Sequence, residues 1–450
     1  MSNSISNSNL NRFYSNELIG FKKKHVNSAK SKLNNSNIFF NRHPMNWMAD
    51  WSLPFLPLID QALGSQIRDI DNNTFDDFCL GDTASMFGHS PSAVSNAIIR
   101  QSKKGFAYML PSKQAVNAGI NLTRVFGKYQ WQIANTASDA NRFAIRVVRA
   151  VTRKSKILVF NGCYHGAVDD TLVELKRNKT VNAQGLTGQV YDLSKGTVVA
   201  EFNNLKQVEM LFKKHSIAAV LTEPVLTNCC MVLPEKKFLE KLIRLTHKYK
   251  AFFILDETHT ISSGYGGYGR QNNLKPDLIV IGKCIASGIT TAVWGMNDRF
   301  SKLYQNYLKS KFDGRSGIGT TLSANPIQFA SLNATLTKVI TRLNYKKMEQ
   351  GAKKLEMGLN KIIQKHELNW HVVRVGARVE FICSPGPLKN GSEALKAHQP
   401  KLERAVHLGL MNRGSLIAPF HNMMLISPVT YDKQINKLVK NFDDVLQQLI

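Results

Sequence analysis

The chain has 450 residues and a mass of 50.5 kDa, which is long enough for two or three domains with a substantial core. Its 43% hydrophobic and 20% charged residues are typical of a globular protein, and no apolar run reaches the length of a membrane span. The net charge of +27 would suit a polyanion, but the lysines are scattered from end to end. We therefore expect no nucleic-acid partner and no membrane association.

The N-terminal residues 1–42 are rich in Asn, Ser and Lys and show little apolar periodicity. This composition predicts a flexible tail, or an extension that lies on a partner. No signal-peptide pattern opens the chain, and the six cysteines have neither disulfide nor metal-ligand spacing. A cytoplasmic protein with reduced thiols and no metal site is the simplest expectation.

Apolar strands alternate with helices over 106–330, which we interpret as the large domain. The strands are predicted at 157–160, 218–222, 252–255 and 278–281. This alternation predicts an α/β fold with a mainly parallel sheet covered on both faces.

The flanking regions predict a smaller α+β domain. Its N-terminal part is 43–105, in which 64–73 has the pattern of a strand that enters a hairpin turn. Its C-terminal part is 331–450. The predicted pieces of that part are a helix at 331–363, strands within 372–383 and 416–428, and a helix at 432–449.

Two of the predicted strands end in charged residues. The run 252–255 leads into Asp256, and the run 278–281 leads into Gly282 and Lys283. The carboxyl ends of parallel strands are where α/β sheets bind ligands. A lysine there can form a Schiff base, and a carboxylate beside a pyridinium nitrogen is its usual partner in pyridoxal phosphate sites. Each residue alone has a simpler explanation, because strand-end carboxylates often cap helices and most lysines are solvated.

Two further segments supply groups that such a site requires. Residues 135–141 open a helix with small and hydroxyl side chains, so that its first N–H groups could bind phosphate. An ordinary helix cap explains this segment equally well. The strand at 157–160 is followed by Tyr164, an aromatic residue that could stack on a flat ring.

The order of these motifs resembles the class III (subgroup II, fold type I) PLP-dependent aminotransferases. The resemblance is closest to the branch of glutamate-1-semialdehyde aminomutases and β-amino-acid aminotransferases, and it covers about 50–450. It rests on the phosphate loop, Tyr-His-Gly at 164–166, Glu-Pro at 223–224, Asp-Glu at 256–257, Gly-Lys at 282–283 and the stretch 321–326. It implies a seven-stranded, mainly parallel sheet, pyridoxal 5′-phosphate as cofactor, a homodimer, and a small amino donor and oxo-acid acceptor as substrates.

The resemblance also implies roles for individual residues. Lys283 would hold the cofactor covalently, and Asp256 would pair with its pyridinium nitrogen. The remaining cofactor contacts would be the ring stack of Tyr164, phosphate binding by Ala137 and Ser138, pocket lining by Glu223 and Asn228, and a bond from Thr321 to the phosphate of the neighbouring subunit.

The chain departs from the family pattern in two places. Ala137 replaces a glycine of the phosphate loop, which limits close approach. The arginine that anchors a substrate carboxylate in the ornithine and γ-aminobutyrate branch has no counterpart in 423–428. The residues left as possible substrate contacts are Arg42, Arg374, Arg378 and His259, although surface arginine and a loop histidine are the ordinary explanations.

The expected activity is transfer of an amino group between an amino acid or amine and an oxo acid through Lys283. Two alternatives remain open at this point. A PLP-dependent aminomutase or a racemase would use the same residues, and a non-catalytic basic binding protein could keep the same fold.

Overall fold

The computed structural model describes residues 5–51, 53–310, 316–419 and 421–450, and the chain divides into two compact units. Unit 1 comprises Met1–Pro91, Leu343–Pro387 and Ala397–Ile450, and unit 2 comprises Ser92–Arg342 and Leu388–Lys396. Unit 2 is thus longer than the predicted large domain, 106–330, and includes a short segment from the C-terminal part of the chain.

The described residues form the following elements. The strands are β1 (Ile59–Leu63), β2 (Gln66–Asp69), β3 (Thr74–Asp77), β4 (Gln130–Ala134), β5 (Lys156–Phe160), β6 (Val173–Lys176), β7 (Lys179–Asn182), β8 (Thr197–Ala200), β9 (Ile217–Thr222), β10 (Phe252–Asp256), β11 (Leu278–Ile281), β12 (Ala292–Met296), β13 (His371–Val375), β14 (Arg378–Ile382), β15 (Ser415–Leu416) and β16 (Met423–Leu425). The α-helices are α1 (Asn7–Lys24), α2 (Val26–Lys30), α3 (Lys32–Asn35), α4 (Ser92–Ser102), α5 (Lys113–Phe126), α6 (Ala137–Thr152), α7 (Leu205–Lys214), α8 (Phe238–Lys248), α9 (Gly267–Gln271), α10 (Asp298–Lys309), α11 (Pro326–Ala334), α12 (Arg342–Lys365), α13 (Gly391–Ala397), α14 (Pro400–Asn412) and α15 (Asp432–Leu449).

A seven-stranded sheet lies at the centre of unit 2, in the order β4-β12-β11-β10-β9-β5-β8. β12 runs antiparallel to both of its neighbours, and the other pairs are parallel. The four predicted strands are confirmed as β5, β9, β10 and β11, whose apolar runs are buried on both faces. The α/β prediction is therefore confirmed. The sequence did not reveal β4, a partly exposed edge strand of the sheet in which glutamine alternates with apolar residues.

Unit 1 contains a four-stranded sheet, β1-β2-β3-β15, and a three-stranded sheet, β13-β14-β16. Apolar residues of α1, α12, α14 and α15 share one core with β14, including Phe13, Leu355, Phe381 and Phe442. The helix predicted over 331–363 is in fact α11 and α12, with a π-helical turn at Thr335–Val339 between them. β-branched residues are concentrated at that turn and disfavour a regular helix. No helix within the described ranges combines the length and apolar character needed to cross a bilayer.

The N-terminal segment differs from the predicted flexible tail. Residues from Asn7 to Lys24 form α1, which packs against α14 and α15. Its buried side chains include Leu10, Phe13 and Phe21, which lie on one face at helical spacing. The prediction is wrong here because polar residues, among them Asn11, Arg12 and Ser15, lie between these three, so the average composition conceals the apolar stripe.

Candidate active site

Asp256 and Lys283 lie at the carboxyl ends of two adjacent parallel strands. Asp256 is the last residue of β10 and is in register with Val280 of β11, and Lys283 follows that strand after Gly282. Lys283 has a left-handed backbone conformation, with φ of 50°. Such conformations are strained for a residue with a side chain and are concentrated at functional sites. The structure thus brings together the two residues on which the sequence prediction depends.

The Asp256 carboxylate is buried and held by three donors. Asn141 Nδ2 donates to Oδ2 at 2.8 Å, and His165 Nδ1 lies 2.9 Å from the same oxygen. The backbone N–H of Thr258 donates to Oδ1 at 3.0 Å. Asn141 comes from the inner face of α6 and His165 from the loop after β5, so two separate elements fix the orientation of this carboxylate.

These contacts also set the charges of the pair. Burial alone would raise the pKa of Asp256, but the hydrogen bonds and charge of His165, together with Thr258 and Asn141, outweigh burial and lower this pKa. Burial alone would lower the pKa of His165, but the Cys163 and Asp256 side chains outweigh it and raise that pKa well above 6.5. Both shifts favour the charged forms of Asp256 and His165, which stabilise each other across their hydrogen bond.

The first turn of α6 contains Ala137 and Ser138, the two residues that we expected from the sequence to bind phosphate. Thr136 caps the helix by accepting the N–H of Asp139, and Ala137 and Ser138 form its first turn. Ser138 Oγ accepts the N–H of Ala167 at 3.0 Å, which leaves its hydroxyl hydrogen able to donate elsewhere. A Cβ on Gly282 would lie 2.9 Å from that of Ala137, so glycine permits the strand end before Lys283 to approach the helix N-terminus closely.

Tyr164 and Asn228 lie on two loops that meet at Glu223. Glu223 is buried, and it accepts the backbone N–H groups of Tyr164 and Thr227, both at 3.2 Å. The Thr227 hydroxyl also donates to Glu223, and Asn228 Nδ2 donates to that hydroxyl at 3.4 Å. Burial raises the pKa of Glu223 against the opposing effects of His165 and Thr227. Tyr164 is 47% exposed, so its ring is accessible for stacking.

Glu257, next to Asp256, is a buried carboxyl group that turns away from these contacts. It accepts a hydrogen bond from the Thr260 hydroxyl at 2.5 Å and from the N–H of Tyr268 at 3.0 Å, and it also accepts the N–H of Gly269. Burial raises the pKa of Glu257 to about 7 despite these donors. Glu257 holds the glycine-rich stretch that follows β10.

Two other predicted site residues also lie in unit 2. Thr321 is exposed, within a stretch from 316 to 324 that is mostly solvent-accessible. His259 is buried directly before a short 3-10 helix, and its carbonyl accepts the Ser262 hydroxyl at 2.9 Å. Whether either contacts cofactor or substrate stays a prediction.

The three arginines suggested as carboxylate anchors belong to unit 1. Arg42 is exposed and donates to the Asn34 carbonyl at 3.3 Å. Arg374 pairs with Glu356 at 2.6 Å, which already satisfies its charge. Arg378 is almost fully buried, and its Nη2 donates to the Thr83 hydroxyl at 2.6 Å.

Sequence reasoning missed three residues that organise the site, namely Asn141, His165 and Thr227. Asn141 lies one helical turn beyond Ala137, so it shares the face that borders the strand ends. His165 stood within the Tyr-His-Gly motif but was given no role. Thr227 carried no signal, because its hydrogen bonds to Glu223 form only in the folded chain.

A model of the class-III aminotransferase family matches residues 47–446. A crystal structure of a glutamate-1-semialdehyde aminomutase from Pseudomonas aeruginosa PAO1 is 37% identical, covers 99% of this chain and 100% of that chain, and has a TM-score of 0.96. The glutamate-1-semialdehyde 2,1-aminomutase of Syntrophomonas wolfei is 29% identical over 87% of this chain and 90% of its own length. A β-phenylalanine aminotransferase from Variovorax paradoxus, 20% identical with a TM-score of 0.85 and 97% coverage of both chains, shares the fold.

Fold and site thus define a pyridoxal-phosphate enzyme of fold type I, as the sequence predicted. The chain belongs to the class-III aminotransferase family. Its residues fit the cofactor of that family. An ionised, buried carboxylate faces the strand ends, a lysine follows the adjacent strand, and a helix N-terminus packs directly against the glycine before that lysine.

Proposed function

We propose that the protein is an aminomutase of the glutamate-1-semialdehyde type, which moves an amino group from carbon 2 to carbon 1 within one molecule. The observation that carries this proposal is the similarity to the Pseudomonas aeruginosa aminomutase, which spans nearly all of both chains at 37% identity. The relatives at 28 and 29% identity bear the same name. These similarities favour the aminomutase, which was an alternative in the sequence analysis. They count against the main expectation, which was transfer of an amino group between two substrates.

The geometry of the site supports a proposed role for each of its residues. Bound pyridoxal phosphate would supply an aldehyde that condenses with amines and a pyridinium ring that accepts electron density. Asp256, kept ionised by its donors, would hold the ring nitrogen protonated. The first turn of α6 and the Ser138 hydroxyl would bind the phosphate. Tyr164 would cover one face of the ring, and Asn228 would line its edge.

Lys283 is the proposed catalytic base as well as the covalent anchor. Besides holding the cofactor, the Lys283 amine would take a proton from the substrate carbon that gives up the amino group and would return a proton to the carbon that receives it. The same residue would act at both carbons of an aminomutase substrate. This requires the amine to stay within reach, which its position at a strand end allows.

We also propose a homodimer. Thr321 lies on an exposed stretch of unit 2, where it could reach the phosphate of a second subunit. Large apolar side chains are exposed on the same unit, among them Phe106, Met109 and Leu110. Contiguous apolar residues of this kind are typical of surfaces that pair with another chain.

The proposed reaction can be tested by giving the holoenzyme glutamate 1-semialdehyde with no oxo acid present. An aminomutase converts it fully to the isomer with the amine on carbon 1 and a ketone at carbon 2, which NMR distinguishes. Turnover that needs an added oxo acid would instead establish a transaminase. Exchange of the proton at carbon 2 without isomerisation would indicate a racemase, and absence of bound cofactor would support a non-catalytic protein.

A further inference from the structure

A short stretch of the C-terminal region, Leu388–Lys396, packs with unit 2, whereas the chain on either side of it belongs to unit 1. We call it the inserted segment. Asn203 fixes its beginning by donating to the Lys389 carbonyl at 2.8 Å, and Asn390 caps α13 by accepting the N–H of Glu393 at 2.9 Å. None of its residues has a role in the proposed reaction, so its contacts with the site need a separate explanation.

The first contact is with the loop that carries Tyr164. A Cβ on Gly391 would overlap the carbonyl oxygen of Asn161 and would lie 3.2 Å from the amide nitrogen of Gly162. The two backbones are therefore packed directly on each other, and no side chain fits between them. Since Asn161 and Gly162 lead into Tyr164, the inserted segment supports the base of the loop that presents the ring.

A polar network reinforces this contact. The Ser392 hydroxyl donates to Glu201, and the N–H of Ser392 donates to the same carboxylate at 3.3 Å. Asn161 Nδ2 lies 3.1 Å from Ser392 Oγ and 3.2 Å from Glu201 Oε1, and Asn161 Oδ1 accepts the N–H of Leu175 at 3.0 Å. Asn161 is 1% exposed, so loss of one partner would leave a buried polar group unsatisfied.

The second contact is with the loop that carries Asn228. Cys230 Sγ lies 3.7 Å from the carbonyl oxygen of Ala394, within hydrogen-bond range for sulfur. Cys229 Sγ lies only 2.8 Å from the position that a Cβ on Gly162 would occupy, so the two loops also touch each other. The inserted segment thus packs against both loops. Glu223 joins the same two loops by accepting hydrogen bonds from the backbone of Tyr164 and Thr227.

We infer that Gly391 and Ser392 are positioning residues for the cofactor site, acting through the loops that hold Tyr164 and Asn228. The inference rests on the proposed roles of those two residues. Both lie on loops without regular secondary structure, and a ring-stacking residue must be held within about 0.5 Å of its working position. The inserted segment supplies the rigid support that the loops themselves lack.

The first test compares Gly391→Ala with Lys396→Ala, a change at an exposed residue of the same helix. Pyridoxal phosphate is titrated into each apoprotein, and the visible circular dichroism of the bound cofactor is recorded. Gly391→Ala should raise the dissociation constant at least tenfold and change the dichroism, because its methyl group displaces the backbone before Tyr164. Lys396→Ala should match the wild type in both measurements.

The second test separates positioning from folding. Ser392→Ala removes the hydroxyl shared by Asn161 and Glu201, whereas Ser392→Thr keeps it. Ser392→Ala should weaken cofactor binding several-fold and alter the visible dichroism, with the far-ultraviolet spectrum unchanged, and Ser392→Thr should restore wild-type values. This pair decides the matter if Gly391→Ala does not fold.

The outcomes that overturn the inference differ from those that overturn the proposed function. If wild-type protein binds pyridoxal phosphate but folded Gly391→Ala and Ser392→Ala bind it with unchanged affinity and dichroism, the inserted segment has no positioning role. Equal effects of Ser392→Ala and Ser392→Thr would also contradict it. Wild-type protein that takes up no cofactor would refute the proposed function, and this inference with it.

Discussion

The side-chain amide of Asn141 donates a hydrogen bond of 2.8 Å to Oδ2 of Asp256, and both residues are buried. This bond joins the inner face of α6 to the end of β10. It is one of the contacts that lower the pKa of Asp256, so it helps to keep this carboxylate ionised in a site where burial favours the neutral acid.

Replacing Asn141 with Ala should therefore reduce catalysis without unfolding the protein. A hydrogen bond to a charged group contributes about 1.5–3 kcal/mol, so kcat/KM should fall by roughly one to two orders of magnitude. The acid limb of the pH–rate profile should move to higher pH, since Asp256 loses a donor. Arg142→Ala, at the adjacent exposed position, is the control. Wild-type kcat/KM in the Asn141 variant would show that the bond has no catalytic importance.

Lys283→Ala should abolish turnover and leave the fold intact. The change removes both the proposed covalent anchor and the proposed base, so the loss should be many orders of magnitude. Single-turnover kinetics and the absorbance of the bound cofactor measure the two effects separately. Lys275→Ala, at an exposed lysine before β11, should retain wild-type activity. A Lys283 variant with even a tenth of wild-type kcat, a change of only about 1.4 kcal/mol, would refute the assignment.

Asp256→Asn should keep the cofactor bound but nearly inactive. An amide cannot stabilise a protonated ring nitrogen, so the ring becomes a poor acceptor of electron density. We expect kcat to fall at least about a hundredfold, or about 2.7 kcal/mol, while the cofactor content of the purified protein stays close to that of the wild type. Normal turnover would mean that Asp256 serves only as a structural partner of Asn141 and His165.

Thr321→Ala should weaken cofactor retention more than it slows the reaction. A hydroxyl bonded to phosphate contributes about 1.5–3 kcal/mol. In a mixed dimer with Thr321→Ala on one chain and Lys283→Ala on the other, the one intact lysine belongs to the subunit that lacks the threonine. If Thr321 acts across the interface, that site receives a wild-type threonine and should retain lysine-linked cofactor normally. Weak retention there would show that Thr321 serves its own subunit.

His407 should make the protein sensitive to mild acid. It is buried in unit 1, with Nε2 3.2 Å from the Ile417 carbonyl oxygen, and burial lowers its pKa from 6.5 to about 4. Between pH 6.5 and 4, His407 is therefore protonated in the unfolded chain but neutral in the folded chain. The free energy of unfolding decreases as the pH falls through this range. At pH 5 the loss should be about 2 kcal/mol relative to pH 8.

The His407 effect is measured by urea unfolding at several pH values. His407→Gln keeps a donor for the Ile417 carbonyl but has no proton to gain, so its unfolding free energy should decline less steeply between pH 6.5 and 4. An identical decline in both proteins would assign the acid sensitivity to other groups.

The sequence alone determined the α/β class and the position of Asp256 and Lys283 at the ends of two predicted strands. Buried parallel strands are continuous apolar runs, so a charged residue at the end of such a run is expected at the edge of the sheet. That β10 and β11 are neighbours, which brings the two strand ends together, is decided by the tertiary structure. The final helix and the hairpin turn between β2 and β3 followed from equally local patterns.

The tertiary structure decided what depends on residues far apart in the chain. Asn141 and Asp256 are 115 positions apart, and only packing of α6 on the sheet brings them within a hydrogen bond. The N-terminal helix is stabilised by burial of Phe13 and Phe21 in unit 1, a gain that an Asn- and Ser-rich composition does not reveal. The contact of Gly391 with Asn161 likewise has no local signal, because close packing of two backbones is a property of the folded chain alone.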